Sequence, residues 1–177
     1  AGMQLPHAPS RQHWPQTAER GFTVIELMVV VTIMAVLAAL ATPSFTPIIE
    51  GWRVRQAANG LESTLYYARS EAIKRGGDIT VVATSGADWA TGWSVCAGAC
   101  SASTTLQTSN APDRVSVTPD PAGSTITLDR WGRMNKGAGV STFGFRLVPQ
   151  GKLSNDSSAA SLCITGGAAI KRQAATC

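Results

Sequence analysis

Residues 20–41 read RGFTVIELMVVVTIMAVLAALA, and this stretch decides the architecture. The 20 residues from Phe22 to Ala41 carry one charge, Glu26. At ~1.5 Å rise per residue they make ~30 Å of helix, enough to cross a hydrocarbon core. The apolar region of a secretory signal is shorter, about 7–15 residues. Two plainer readings stand beside a functional one: a secretory signal cut after Ala39-Leu40-Ala41, or an anchor of no special kind. Glu26 separates them. A carboxylate inside a membrane segment costs ~2.5–3.5 kcal/mol on insertion scales, so it marks function and calls for a positive partner.

Working outward, residues 1–20 are polar, contain Pro6, Pro9 and Pro15, and read as a disordered leader. That leader carries few basic residues, so orientation does not rest on a positive-inside argument. Downstream, Pro43 and Pro47 each remove a backbone donor from the helix. Val54, Ala57, Ala58, Leu61, Leu65, Ala68 and Ala72 then fall on one helical stripe over residues 50–75. Arg53, Arg55, Glu62, Arg69, Glu71, Lys74 and Arg75 lie off that stripe and read as a solvated face, with Glu71 and Arg75 spaced to pair. Gly76-Gly77 ends the helix.

From Asp78 the periodicity becomes alternating. Strands are expected at Ile79–Thr84, Gly92–Cys96, Arg114–Thr118, Thr125–Arg130, Thr142–Val148 and Leu162–Thr165. Residues 97–112 and 150–160 read as exposed loops. One helix followed by short strands indicates an α+β chain: a long N-terminal helix, half transmembrane and half amphipathic, packed on one or two antiparallel sheets. The expected division is leader 1–21, transmembrane helix 22–42, amphipathic helix 43–76 and β-rich domain 77–177.

The sequence Gly21-Phe22-Thr23-Val24-Ile25-Glu26 resembles the type IV pilin signature. That resemblance implies cleavage by a prepilin peptidase between Gly21 and Phe22 and N-methylation of the Phe22 amine. It implies that Glu26, fifth from the new terminus, meets a neighbour's N-terminal amine in a filament of pilins or pseudopilins. It also implies a single pass through the inner membrane with the C-terminal domain in the periplasm. Pro43 extends the likeness. Leu65-Tyr66-Tyr67-Ala68-Arg69-Ser70-Glu71-Ala72, together with Trp89 and Gly92-Trp93, resembles the GspH/FimT group of minor pilins and pseudopilins. The plainer reading of both tryptophans is core packing. The pilin-like expectation is a structural subunit of a type IV pilus or a type II secretion pseudopilus.

Some relatives in that group bind DNA in natural transformation through a Gly-Arg-x-Arg motif. Two segments here approach it: Arg130-Trp131-Gly132-Arg133-Met134-Asn135-Lys136, and the stretch from Gly167 to Lys171-Arg172. Neither matches fully. The plainer reading of Arg130, Arg133 and Lys136 is a turn with solvated charges.

Composition bounds the chemistry. The net charge is +4, with basic and acidic residues interspersed. Both histidines, His7 and His13, precede Gly21, so a chain cut there has none for a catalytic triad or a zinc site. Neither an enzyme nor a cofactor is expected. Cys96, Cys100, Cys163 and Cys177 form no C-x-x-C pair and fit two local disulfides in an oxidising compartment. In that arrangement Gly166-Gly167 turns the chain and returns Ile170–Thr176 beside Leu162–Thr165. One long-range bridge with two free thiols is the alternative.

Overall fold

The structure, a computed structural model, describes residues 21–136, 142–165 and 169–177. The expected leader before Gly21 and the Gly166-Gly167 turn lie outside the described residues. One helix, α1 (Val24–Arg75), runs through two compact units that divide between Thr42 and Pro43.

In the first unit, Thr23 caps α1. Its Oγ1 accepts the Glu26 backbone N–H at 3.2 Å, and Glu26 stands in the first turn. The spacing Thr-x-x-Glu is that of a capping box, and a carboxylate there also faces the positive end of the helix dipole. Every residue from Gly21 to Leu40 is exposed, including Phe22 at 80% and Val24 at 79%. Taken by length and mean hydropathy, no single helix among the described residues is long and apolar enough to cross a membrane; Val24–Leu40 and Phe45–Arg75 pass together.

In the second unit the expected stripe is the buried one: Val54, Ala58, Leu61, Leu65, Ala68 and Ala72 are each 0% exposed. It packs on two antiparallel sheets through one hydrophobic core. The strands are β1 (Ile79–Ser85), β2 (Asp88–Ala97), β3 (Thr105–Asn110), β4 (Val115–Asp120), β5 (Thr125–Leu128), β6 (Met134–Lys136), β7 (Phe143–Pro149), β8 (Ala160–Thr165) and β9 (Ala169–Gln173). The five-stranded sheet runs β3-β2-β1-β5-β6 and the four-stranded sheet β4-β7-β8-β9. The α+β, pilin-like architecture expected from the sequence is the one observed.

Both tryptophans are core. Trp89 packs edge-on to Phe145 at 4.8 Å and donates its indole N–H to the Gly123 carbonyl at 2.9 Å. Trp93 donates to Thr64 Oγ1 at 3.0 Å, tying β2 to α1. Gly92 adopts φ +102, and a Cβ there would collide with the Ser109 carbonyl, so β3 can approach β2 only at a glycine.

Four expectations are corrected. Residues 97–112 are not all loop: Thr105–Asn110 forms β3, which among the described residues is an edge strand pairing with β2 alone. Its sequence TLQTSN has no apolar alternation because neither face is deeply buried. Residues 134–136 are strand β6 rather than turn. The strand expected over Thr125–Arg130 stops at Leu128, because Asp129 opens a turn. Glu71 is buried, 8% exposed, rather than on a solvated face. Its carboxylate accepts from Arg75 Nε at 2.7 Å, with Lys74 at 3.6 Å. That hydrogen bond from Arg75, with the Lys74 charge beside it, outweighs the cost of burial and holds the carboxyl below its usual range.

Candidate functional site

The N-terminal site is the end of α1. Gly21 has open space on the side where a Cβ would stand, and a shallow depression is lined by Gly21, Phe22, Thr23 and Glu26. The cap fixes the backbone at Glu26, while its side chain is exposed and has no partner among the described residues. Thr23 is the residue that sequence reasoning passed over; its signal was the Thr-x-x-Glu spacing.

The second candidate is a turn on the β5–β6 hairpin. Asp129 organises it: Oδ1 accepts the backbone N–H groups of Trp131 and Arg133 at 2.9 Å each, and Oδ2 accepts Arg133 Nε at 2.7 Å. Burial raises the Asp129 pKa, but these bonds from Arg133 and Trp131 together bring it below the ordinary value. Gly132, at φ +71, lies against Arg69, where a Cβ would come within 2.7 Å of Arg69 Cγ. Trp131 is 64% exposed. Two guanidiniums lie over its ring, Arg133 at 4.9 Å and Arg130 at 5.6 Å from the centroid.

The other cations of the proposed DNA set stand differently. Lys136 is 3% exposed, which corrects the expectation of a solvated charge. Its ammonium donates to the Pro121 carbonyl and lies 5.7 Å from the Phe145 ring centroid. Burial pushes its pKa down, opposed by Asp120. Arg172 is held by Glu62 and Asn59. Lys171 is exposed on β9. The turn belongs to the five-stranded sheet and β9 edges the four-stranded one.

Two disulfides close the chain locally. Cys96 and Cys100 are joined with Cα atoms 5.2 Å apart, and Cys163 and Cys177 with Cα atoms 5.5 Å apart. The second lies beside the β8–β9 pairing, in which Cys163 faces Lys171. Among the described residues, no group of three or more His, Cys, Asp or Glu is arranged to hold a metal ion.

The family profile for type II transport protein GspH matches residues 57–169. That for the prokaryotic N-terminal methylation motif matches residues 16–42. A fimbrial protein of Pseudomonas aeruginosa is 40% identical over 67 residues, which cover 38% of this chain and 43% of the relative. A fimbrial protein of Moraxella nonliquefaciens is 41% identical over 51 residues, covering 27% and 33%. The chain thus spans less than half the length of these curated relatives. The crystal structure of the type IV minor pilin FimU of Pseudomonas aeruginosa (strain PAO1) superposes with a TM-score of 0.57 at 22% identity, covering 68% of this chain and 87% of that one. A second crystal form gives 0.55. At this identity the likeness shows the fold, that of a pilin. The chain belongs to the GspH family and is type IV pilin-like.

Proposed function

We propose that this GspH-family chain is a structural subunit of a type IV pilus or a type II secretion pseudopilus, acting in filament assembly or its priming. In this reading one pass of the helix over 22–42 anchors it in the inner membrane, and residues 77–177 face the periplasm. A prepilin peptidase removes residues 1–21, and the Phe22 amine is methylated. Other pilins or pseudopilins then pack on the helix, and a neighbour's N-terminal amine neutralises Glu26. The observation that carries this is the exposed Glu26 side chain, without a partner among the described residues, at the capped start of a helix with apolar side chains exposed all round. A helix apolar on every face belongs in lipid or among other helices, and a carboxylate there needs a cation. Mass spectrometry of membrane-extracted protein should show N-methyl-Phe22 as the first residue. A chain beginning at Thr42 would reject the reading in favour of a cleaved secretory signal.

DNA binding is the second reading. It draws support from Trp131 and its two guanidiniums, since an exposed ring with adjacent cations suits bases and phosphates. Against it stand the burial of Lys136 and the engagement of Arg172 with Glu62.

A further inference from the structure

We infer that a crevice beside α1 binds phosphate as the headgroup of an anionic phospholipid. This rests on the membrane anchoring proposed above. The crevice, about 310 Å³, lies in the second unit between Thr46, Ile49, Glu50 and Arg53 of α1 and Arg114 and Gln150, which flank the paired ends of β4 and β7. The Gln150 N–H donates to the Arg114 carbonyl at 2.8 Å, which fixes Arg114 at the rim.

Charge selects an anion. One carboxylate, Glu50, lines the crevice and Asp113 stands beside Arg53; each is matched, Glu50 by Lys152 at 3.7 Å and Asp113 by Arg53 at 3.1 Å. Among the described residues the Arg114 side chain has no hydrogen-bond or ion-pair partner. Its guanidinium is therefore the uncompensated charge, and Arg53 engages Asp113 through Nε, leaving its terminal N–H groups. Thr46 and Gln150 add neutral hydrogen-bonding groups. A planar fork is the donor that matches phosphate oxygens.

Backbone conformation marks the same residue, one of two non-glycine positions at positive φ among the described residues, with Asp78. Arg114 adopts φ 53, a region that residues with a Cβ rarely occupy and that glycine would occupy freely. An arginine kept where glycine fits better is an outlier that points to a use for its side chain.

The position along the chain points to a lipid. From Leu27 to Ile49 the sequence carries no charge, and Glu50, Arg53 and Arg55 follow at once. Phe45, Ile48, Ile49 and Trp52 are all exposed. A charge-free helix that ends in exposed aliphatic residues, a tryptophan and arginines has the composition of a segment leaving hydrocarbon for headgroups.

The test uses the full chain in nanodiscs of phosphatidylcholine doped with phosphatidylglycerol, with lipid retained after detergent extraction counted by native mass spectrometry. Wild type should favour phosphatidylglycerol by about tenfold. Arg114→Gly suits the backbone, so thermal unfolding should be unimpaired while the preference disappears; Arg114→Lys should keep part of it. Millimolar inorganic phosphate should not displace the lipid. Equal retention of both lipids by inserted wild type, or full preference in Arg114→Gly, overturns this inference and leaves the anchoring intact. Displacement by inorganic phosphate overturns the lipid assignment. A chain that fails to insert at all overturns the anchoring, and this inference with it.

Discussion

The Arg172 guanidinium, on edge strand β9, stands 2.6 Å from the Glu62 carboxylate on α1, and the same nitrogen lies 2.6 Å from Asn59 Oδ1. The pair joins the last strand to the helix across more than half the chain. Both side chains are about one-third exposed, 33% and 28%, so a double-mutant cycle should give a coupling of about 0.5–1 kcal/mol. Urea unfolding of detergent-solubilised Arg172→Ala, Glu62→Ala and the double variant measures it. Zero coupling would mean that β9 is held by other contacts.

The Cys163–Cys177 bridge closes a segment of sequence separation 14. In the chain-entropy model, losing a loop of that size costs about 3 kcal/mol. Cys163→Ser/Cys177→Ser should fall by about that much, and Cys96→Ser/Cys100→Ser by less, because separation 4 closes a shorter loop. Urea midpoints decide the order. Non-reducing peptide maps of wild type should contain a 163–177 link.

Lys136 gives the fold a signature at alkaline pH. Its pKa is lowered in the folded chain, first by burial, so the folded state binds fewer protons than the unfolded one between that lowered value and 10.5. Stability should therefore rise with pH through this window and level off above it. Lys136→Met, similar in volume, should abolish that rise. If the variant and wild type have parallel profiles, Lys136 is not the cause.

At acid pH the sign is the same for Glu71, whose pKa is also lowered in the folded chain. Its carboxyl is held down first by the Arg75 hydrogen bond, so its contribution is present above 4.5 and lost as pH falls through the lowered value. Glu71→Gln should flatten the acid limb of a thermal-unfolding profile, and an unchanged limb would count against this assignment.

Glu26→Ala removes a charge but leaves the Thr23 cap, which uses the Glu26 backbone N–H. The variant should stay stable in the membrane and enter filaments poorly. Normal assembly with full pilus or secretion activity would remove the role proposed for Glu26. For DNA, the expectation is weak, salt-sensitive binding to duplex; a robust gel shift at physiological salt, lost in Arg133→Ala, would put the DNA reading first.

Local pattern determined the helix, its buried stripe and the alternating strands that follow. These features repeat every 3.6 or two residues, so a short window reveals which face must leave water. The N-terminal motif was legible for the same reason, as a carboxylate at a fixed distance from a glycine within an apolar run. Tertiary structure alone decided the rest. TLQTSN becomes strand β3 because β2 offers a free edge, and Gly92 lets the backbone of Ser109 come close. Lys136 enters the core because the Pro121 carbonyl and the rings of Phe143 and Phe145 meet it there. Arg172 is committed to a carboxylate 110 residues away in sequence. Whether a cation is free or engaged depends on partners distant along the chain, and no local spacing encodes them.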